Sequence, residues 1–160
     1  MHAVIREYRP SDEEAVVEFS LRAWTPVFSS LEQALGTKIF VRLHGDWREY
    51  QAKAVHDTLA DSAMKVWVAE AKRGVIAFVA ASVRRERLLG EIWMLAVDPD
   101  DQDRGVGTAL TEFATEWLRA SGMRVAMVET GGDSGHASAR RVYEKAEYTL
   151  LPVARHFKAL

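Results

Sequence analysis

The sequence has 160 residues, about the length of one domain, and its 48% hydrophobic and 28% charged content excludes a disordered tail. Lys and Arg number 21 against 23 Asp and Glu, a net charge of −2 that argues against a protein whose work is coating nucleic acid. The absence of cysteine excludes disulfides, thiolate metal sites and a cysteine nucleophile. The longest apolar run, Val75 to Ala81, is too short to span a bilayer, and Arg6, Glu7 and Arg9 leave no apolar signal core before them. A soluble, cytoplasmic protein is expected, with no membrane and no nucleic acid among its partners.

In chain order, Val4 to Tyr8 alternates as a first strand. Ser11-Asp12-Glu13-Glu14 reads as a capping box in which Ser11 caps the amides and Glu14 reaches back. The helix it opens carries Ala15, Val16, Phe19 and Ala23 on one face, and Trp24-Thr25-Pro26 is expected to stop it. A short helix around Leu31 to Leu35 ends at Gly36, and Asp46 to Leu59 is a further helix. Three strands follow at Lys65 to Glu70, Val75 to Val83 and Leu88 to Val97, the first two joined by a Lys72-Arg73-Gly74 turn.

Asp98-Pro99-Asp100-Asp101 breaks the sheet. A helix runs from Gly105 to about Ala120, buries Val106, Ala109, Leu110, Phe113 and Trp117, and ends at Gly122. Arg124 to Thr130 is a strand, Gly131 to Gly135 a loop and Ala137 to Ala146 a last helix. Tyr148 to Phe157, interrupted by Pro152, offers two short closing strands. The whole reads as α/β (α+β), a mixed sheet of about seven strands with helices on both faces and all 160 residues in a single domain.

Chemistry concentrates where a buried strand turns through Gln102-Asp103-Arg104-Gly105-Val106-Gly107-Thr108 into a helix. The first helical amides lack intrahelical partners and carry the positive end of the dipole, so they suit an anion, and glycines let a phosphate approach. A Walker A loop would need Lys after Gly107, and a dinucleotide fingerprint would need Gly where Leu110 stands. Gln102-x-x-Gly105-x-Gly107 after Ala96-Val97-Asp98-Pro99 resembles the acetyl-CoA loop of the GNAT N-acetyltransferase superfamily. Ala139-Arg140-Arg141-Val142-Tyr143-Glu144-Lys145-Ala146 resembles that family's later Ala-Arg helix carrying a Tyr.

The resemblance implies a sheet splayed between its fourth and fifth strands and direct acetyl transfer from acetyl-CoA to a primary amine, without a metal. By position it implies pantetheine on the main chain of Leu95, Ala96 and Val97, and pyrophosphate on the amides from Asp103 to Thr108, with Gln102 in the motif and Arg104 adding charge. Glu91 and Glu129 are the candidate bases, with Glu91 placed first, because an ammonium must lose a proton before it attacks. Tyr143 is the candidate acid for the leaving thiolate. His136 falls where the family often has Asn, and either binds cofactor or starts the helix beside Asp133 and Ser134. Glu147 replaces the family's usual Gly. Trp24 and Phe28 are placed on the acceptor side, where an aromatic wall suits a cation or an apolar amine. The expected partners are a small-molecule or peptide amine and a second copy in a homodimer. The alternative is an acyl-CoA-binding regulatory module without turnover.

Overall fold

A computed structural model describes residues 2–160. Its strands are β1 (Val4–Glu7), β2 (Lys65–Ala71), β3 (Gly74–Arg84), β4 (Leu89–Val97) and β5 (Val125–Val128). Its helices are α1 (Glu13–Leu35), α2 (Thr37–His44), α3 (Trp47–Ala60), α4 (Val106–Ala120) and α5 (Ala137–Lys145). The sheet runs β1-β2-β3-β4-β5, antiparallel at every junction except the parallel β4–β5 pair.

Alternation along the strands sends side chains to opposite faces. Trp67, Ala69, Ala77 and Val79 pack with Leu110, Ala114 and Leu118 of α4. Val66, Val68, Phe78 and Ala80 pack with Val16 and Phe19 of α1 and Val55 of α3. Each fully buried Val, Leu or Phe among them contributes about 1.5–3 kcal/mol. The mixed sheet therefore has a helical layer on each face, as expected.

The sheet has five strands among the described residues, not seven. Residues 149–160 join no ladder, and β5 is only four residues long. Pro26 does not stop its helix: α1 continues to Leu35 with Pro26 inside it. An interior proline costs about 3 kcal/mol. Burial of Phe19 before it and Phe28 after it offsets that cost, because both rings need one continuous helix to reach their pockets. The expected Ser11/Glu14 box is replaced by Asp12, whose carboxylate accepts the Arg9 N–H at 2.8 Å and two guanidinium bonds from Arg6. Those bonds close the Pro10–Asp12 3-10 turn, whose N-cap is Arg9, and the Asp12 side chain makes no capping bond to the amides of α1.

The β4–β5 pairing positions the site. Leu89 to Ile92 pair with Val125 to Val128, and there the ladder ends while β4 runs on to Val97. A bulge at Trp93 accompanies the parting: Ala80 faces Met94, Ala81 faces Ile92, and Trp93 is skipped. The sheet is splayed between its fourth and fifth strands.

Candidate active site

A cavity of about 410 Å³ fills the splay. One wall is the freed half of β4 from Ile92 to Val97, and the opposite wall is Val128, Glu129 and Thr130. The first turn of α4 closes one end, and Ala23, Trp24 and Val27 of α1 face it across the sheet.

The β4 wall presents main-chain groups. The Asp98 N–H bonds the Ile76 carbonyl at 2.7 Å, which fixes the antiparallel phase. Bonding direction alternates along a strand, so Ala96 and Met94 also turn their main chains toward β3. Leu95 and Val97 turn theirs toward the cavity. The Gln102 side-chain amide donates to the Val97 carbonyl at 3.2 Å, so Leu95 keeps both groups free there and Val97 its N–H. An extended amide-bearing chain can pair with such an edge as an added strand would.

The α4 end presents donors. Its N-cap is Gly105 at φ +82°, which has no side chain to cap the amides of Val106, Gly107 and Thr108. A Cβ on Gly105 would meet nothing within 4 Å, so the glycine serves backbone shape rather than crowding. Gln102, Asp103, Gly105, Val106, Gly107 and Thr108 all line the cavity. Arg104, expected to add charge, does not: its guanidinium turns to the buried Asp101 at 3.4 Å. Arg73 bonds Asp101 as well, and Arg22 holds Asp98 at 2.9 Å. These pairs pin the turn between β4 and α4. Burial would raise the Asp98 carboxyl, but the Asp100 amide and Arg22 outweigh it and hold it low.

The α5 wall carries Tyr143, His136, Arg141 and Lys145. Burial pushes the Tyr143 phenol up to about 12, and its hydroxyl bonds no other described residue. Its ring meets that of Tyr148 at 6.2 Å, and Tyr148 is fixed by Thr115 at 2.7 Å. His136 lines the cavity, and its Nδ1 sits 2.5 Å from Asp133 at the helix entrance. Asp133 is raised by burial but lowered further by His136 and Ser30, so it stays ionised. The loop is locked to α1, since Ser30 donates to Asp133 at 2.8 Å and accepts from the Gly135 N–H at 3.0 Å. A Cβ on Gly135 would sit 2.8 Å from the Val27 Cα, so only glycine allows this approach.

Besides Arg104, two more expected site residues lie elsewhere. Glu91 is buried outside the cavity lining, where Arg84 donates to it at 2.9 Å. Strand alternation turns Glu91 to the α1–α3 side of the sheet, away from its neighbour Ile92. Phe28 is buried outside the lining too, stacked on Trp47 at 4.7 Å in a cluster with Phe40, His44 and Tyr50. Trp24 and Glu129 do line the cavity. Sequence reasoning missed Trp93, Arg141 and Lys145. The i,i+4 spacing of the two α5 cations was the available signal, whereas the bulge that exposes Trp93 leaves none.

The sequence matches the acetyltransferase (GNAT) family over residues 24–148. The chain belongs to that family. Among curated relatives, the mycothiol acetyltransferase of Beutenbergia cavernae is 48% identical over 67 residues, which is 42% of this chain and 21% of that protein. The chain thus spans about a fifth of that relative's length. The S-(2-succino)cysteine N-acetyltransferase of Bacillus subtilis is 27% identical over 142 residues, covering 86% of this chain and 78% of that one. Among solved structures, the PaiA N-acetyltransferase of Thermoplasma acidophilum in complex with coenzyme A superposes with a TM-score of 0.64 at 14% identity. That match covers 91% of this chain and 89% of the other, and it shows a shared GNAT fold. Among the described residues no helix is long and apolar enough to cross a membrane.

Proposed function

We propose that this chain transfers the acetyl group of acetyl-CoA to the primary amine of a small molecule or a peptide N-terminus, both bound at once. The observation that carries this reading is the joining of three features in one cavity: the unpaired β4 edge, the uncapped amides of α4 and the half-buried Tyr143. Acetyl-CoA would supply an activated thioester, and its two ends need what the walls offer. The main chain of Leu95 and Val97 holds an amide-bearing arm, Ala96 lines the same stretch, and the amides of Val106, Gly107 and Thr108 take a diphosphate. Arg141 and Lys145 add positive charge to the same cavity.

The chain's own groups manage protons and position. Glu129 lines the cavity and is largely exposed, so it can take the amine's proton directly or through water. Glu91 is committed to Arg84, which puts Glu129 first as base. Tyr143 acts at the leaving sulfur. An ordinary thiol titrates near ~8.5, well below a phenol held at about 12, so complete proton donation from Tyr143 is uphill. Its contribution is a hydrogen bond that strengthens as charge grows on sulfur. Trp24, Val27 and Trp93 would border the acceptor, an apolar and aromatic setting.

The test is thiol release from acetyl-CoA over a panel of amines, among them S-substituted cysteines, which the Bacillus relative's name recommends as small acceptors. Amine-dependent release supports transfer. Binding of acetyl-CoA with no release on any amine favours the second reading, a regulatory acyl-CoA-binding module. The loss of Glu91 to an ion pair is the observation on that side.

A further inference from the structure

The loop before α5 is built more firmly than a helix start requires. One oxygen of the Asp133 carboxylate already caps the turn, taking the Gly135 N–H at 3.1 Å and the Ser30 hydroxyl at 2.8 Å. Arg140 pins the loop from the helix side, donating to the Gly131 carbonyl at 2.7 Å and the Asp133 carbonyl at 2.8 Å. Closing the turn leaves no work for an imidazole. Yet His136 sets its Nδ1 at 2.5 Å from the other Asp133 oxygen, with the two side chains only 19% and 9% exposed. A Cβ on Gly131 would meet the His136 Nδ1 at 2.9 Å and Cε1 at 3.2 Å, so a glycine keeps room for the ring.

This pairing fixes the tautomer. Asp133 is ionised and can only accept, so a neutral His136 carries its proton on Nδ1 and keeps a lone pair on Nε2. Nε2 bonds no other described residue, and the ring lines the cavity. Its place along α5 sets what it can meet. The loop packs on Val27 and Ser30 of α1, whereas a Cβ on Gly107, in the first turn of α4, would meet Val142 at 4.0 Å. Tyr143 follows His136 by seven residues, two turns and roughly 10 Å along one face. His136 thus stands at the end bordered by Trp24 and Val27, where the acceptor would lie, and Tyr143 toward the α4 end.

An ammonium loses two protons on its way to an amide nitrogen, one before it attacks and one after the C–N bond forms. Glu129 is the base for the first. We infer that the Nε2 of His136 takes the second, with Asp133 as its positioning residue. The nitrogen lone pair makes the C–N bond and the carbonyl π pair moves to oxygen. The remaining ammonium proton passes to Nε2. The carbonyl re-forms as the C–S pair leaves on sulfur, which Tyr143 holds by a hydrogen bond. The imidazolium proton then reaches the thiolate through water. An imidazolium ordinarily titrates at ~6.5 and a thiol at ~8.5, so this return is downhill, where donation from Tyr143 is not. The inference rests on the acetyl-transfer reading and names a further catalytic residue for it.

His136→Asn keeps a side-chain N–H for Asp133 and removes the base. It is expected to lower kcat about a hundredfold or more, with acetyl-CoA affinity near wild type. Free imidazole is expected to restore part of the turnover lost in His136→Ala. Nitrogen NMR of the wild-type imidazole rings, without any ligand, is expected to place the neutral His136 proton on Nδ1. Asp133→Asn is expected to move that proton to Nε2 and to lower turnover as well. Wild-type thiol release matched by His136→Asn would overturn the inference and leave acetyl transfer standing. Parallel loss of turnover and acetyl-CoA affinity in His136→Asn would make the ring a coenzyme contact and overturn it too. Should His136→Asn fail to fold, the wild-type spectrum still decides, since a proton on Nε2 there is incompatible with the role. A wild-type chain that releases no thiol with any amine would sink the transfer reading itself, and this inference with it.

Discussion

At Tyr143 the position and the electronic environment make separate demands. Burial that lifts the phenol to about 12 keeps it protonated at every working pH, so it offers a donor and never a base. Tyr143→Phe removes one oxygen and leaves the packing against Tyr148. It is expected to cut turnover about a hundredfold or more with acetyl-CoA affinity little changed, measured by steady-state thiol release beside direct binding. Equal loss of both would make the ring a packing residue. Glu129→Gln is expected to lower turnover similarly. Glu91→Gln should instead leave turnover near wild type and lower stability by roughly 1 kcal/mol, because it weakens a bond to a half-exposed arginine. His44 belongs to stability rather than chemistry. Burial among Phe28, Phe40 and Tyr50 pushes its imidazole below the ordinary 6.5, and its Nδ1 has no hydrogen-bond partner among the described residues. Above that value folded and unfolded chains both hold it neutral. Below it the unfolded chain takes the proton first, so stability falls as pH drops through 6.5. His44→Phe removes this loss, and its advantage over wild type in thermal unfolding is expected to grow from pH 7.5 down to pH 5. A constant difference would mean that His44 does not titrate in this range.

Elements were legible where a local pattern and the tertiary structure agree. The three strands from Lys65 to Val97 and the Gly105 helix carried periodicity, turn residues and glycine stops that all point one way, and they stand within a residue or two of expectation. Pro26 shows the limit: a local stop signal yields to two phenylalanines whose pockets lie on other elements. The closing strands show another, since an alternating segment becomes a strand only where an edge pairs with it, and residues 149–160 join no ladder among the described residues. The site divides the same way. Gly105, Gly107 and Tyr143 were visible in motifs, whereas Glu91 and Phe28 were misplaced because the phase of β4 and the turn of α1 settle which way they face. The lock between the 131–136 loop and α1 was also invisible, yet it aligns α5 with the cavity. Gly135→Val forces a Cβ into the Val27 backbone and is expected to cost about 1–3 kcal/mol of stability and weaken acetyl-CoA binding together. Chemical denaturation and a binding titration of the same variant check both. Loss of neither would show that the loop can shift freely.

On the scale of the whole molecule, the parting of one interior strand pair makes the site. The edge of β4 freed beside the Trp93 bulge forms a wall of the cavity. The GNAT family assignment fits such a site. The central claim is that the freed half of β4 and the first turn of α4 together bind acetyl-CoA. Thermal unfolding of the unmodified chain with increasing acetyl-CoA tests it most directly. A ligand held only by the folded state at about 100 times its Kd adds ~2.7 kcal/mol, which for a chain of this size raises the midpoint by roughly 5–10 °C. A saturable rise of that order is the expected result. An unchanged midpoint up to millimolar acetyl-CoA would contradict the account.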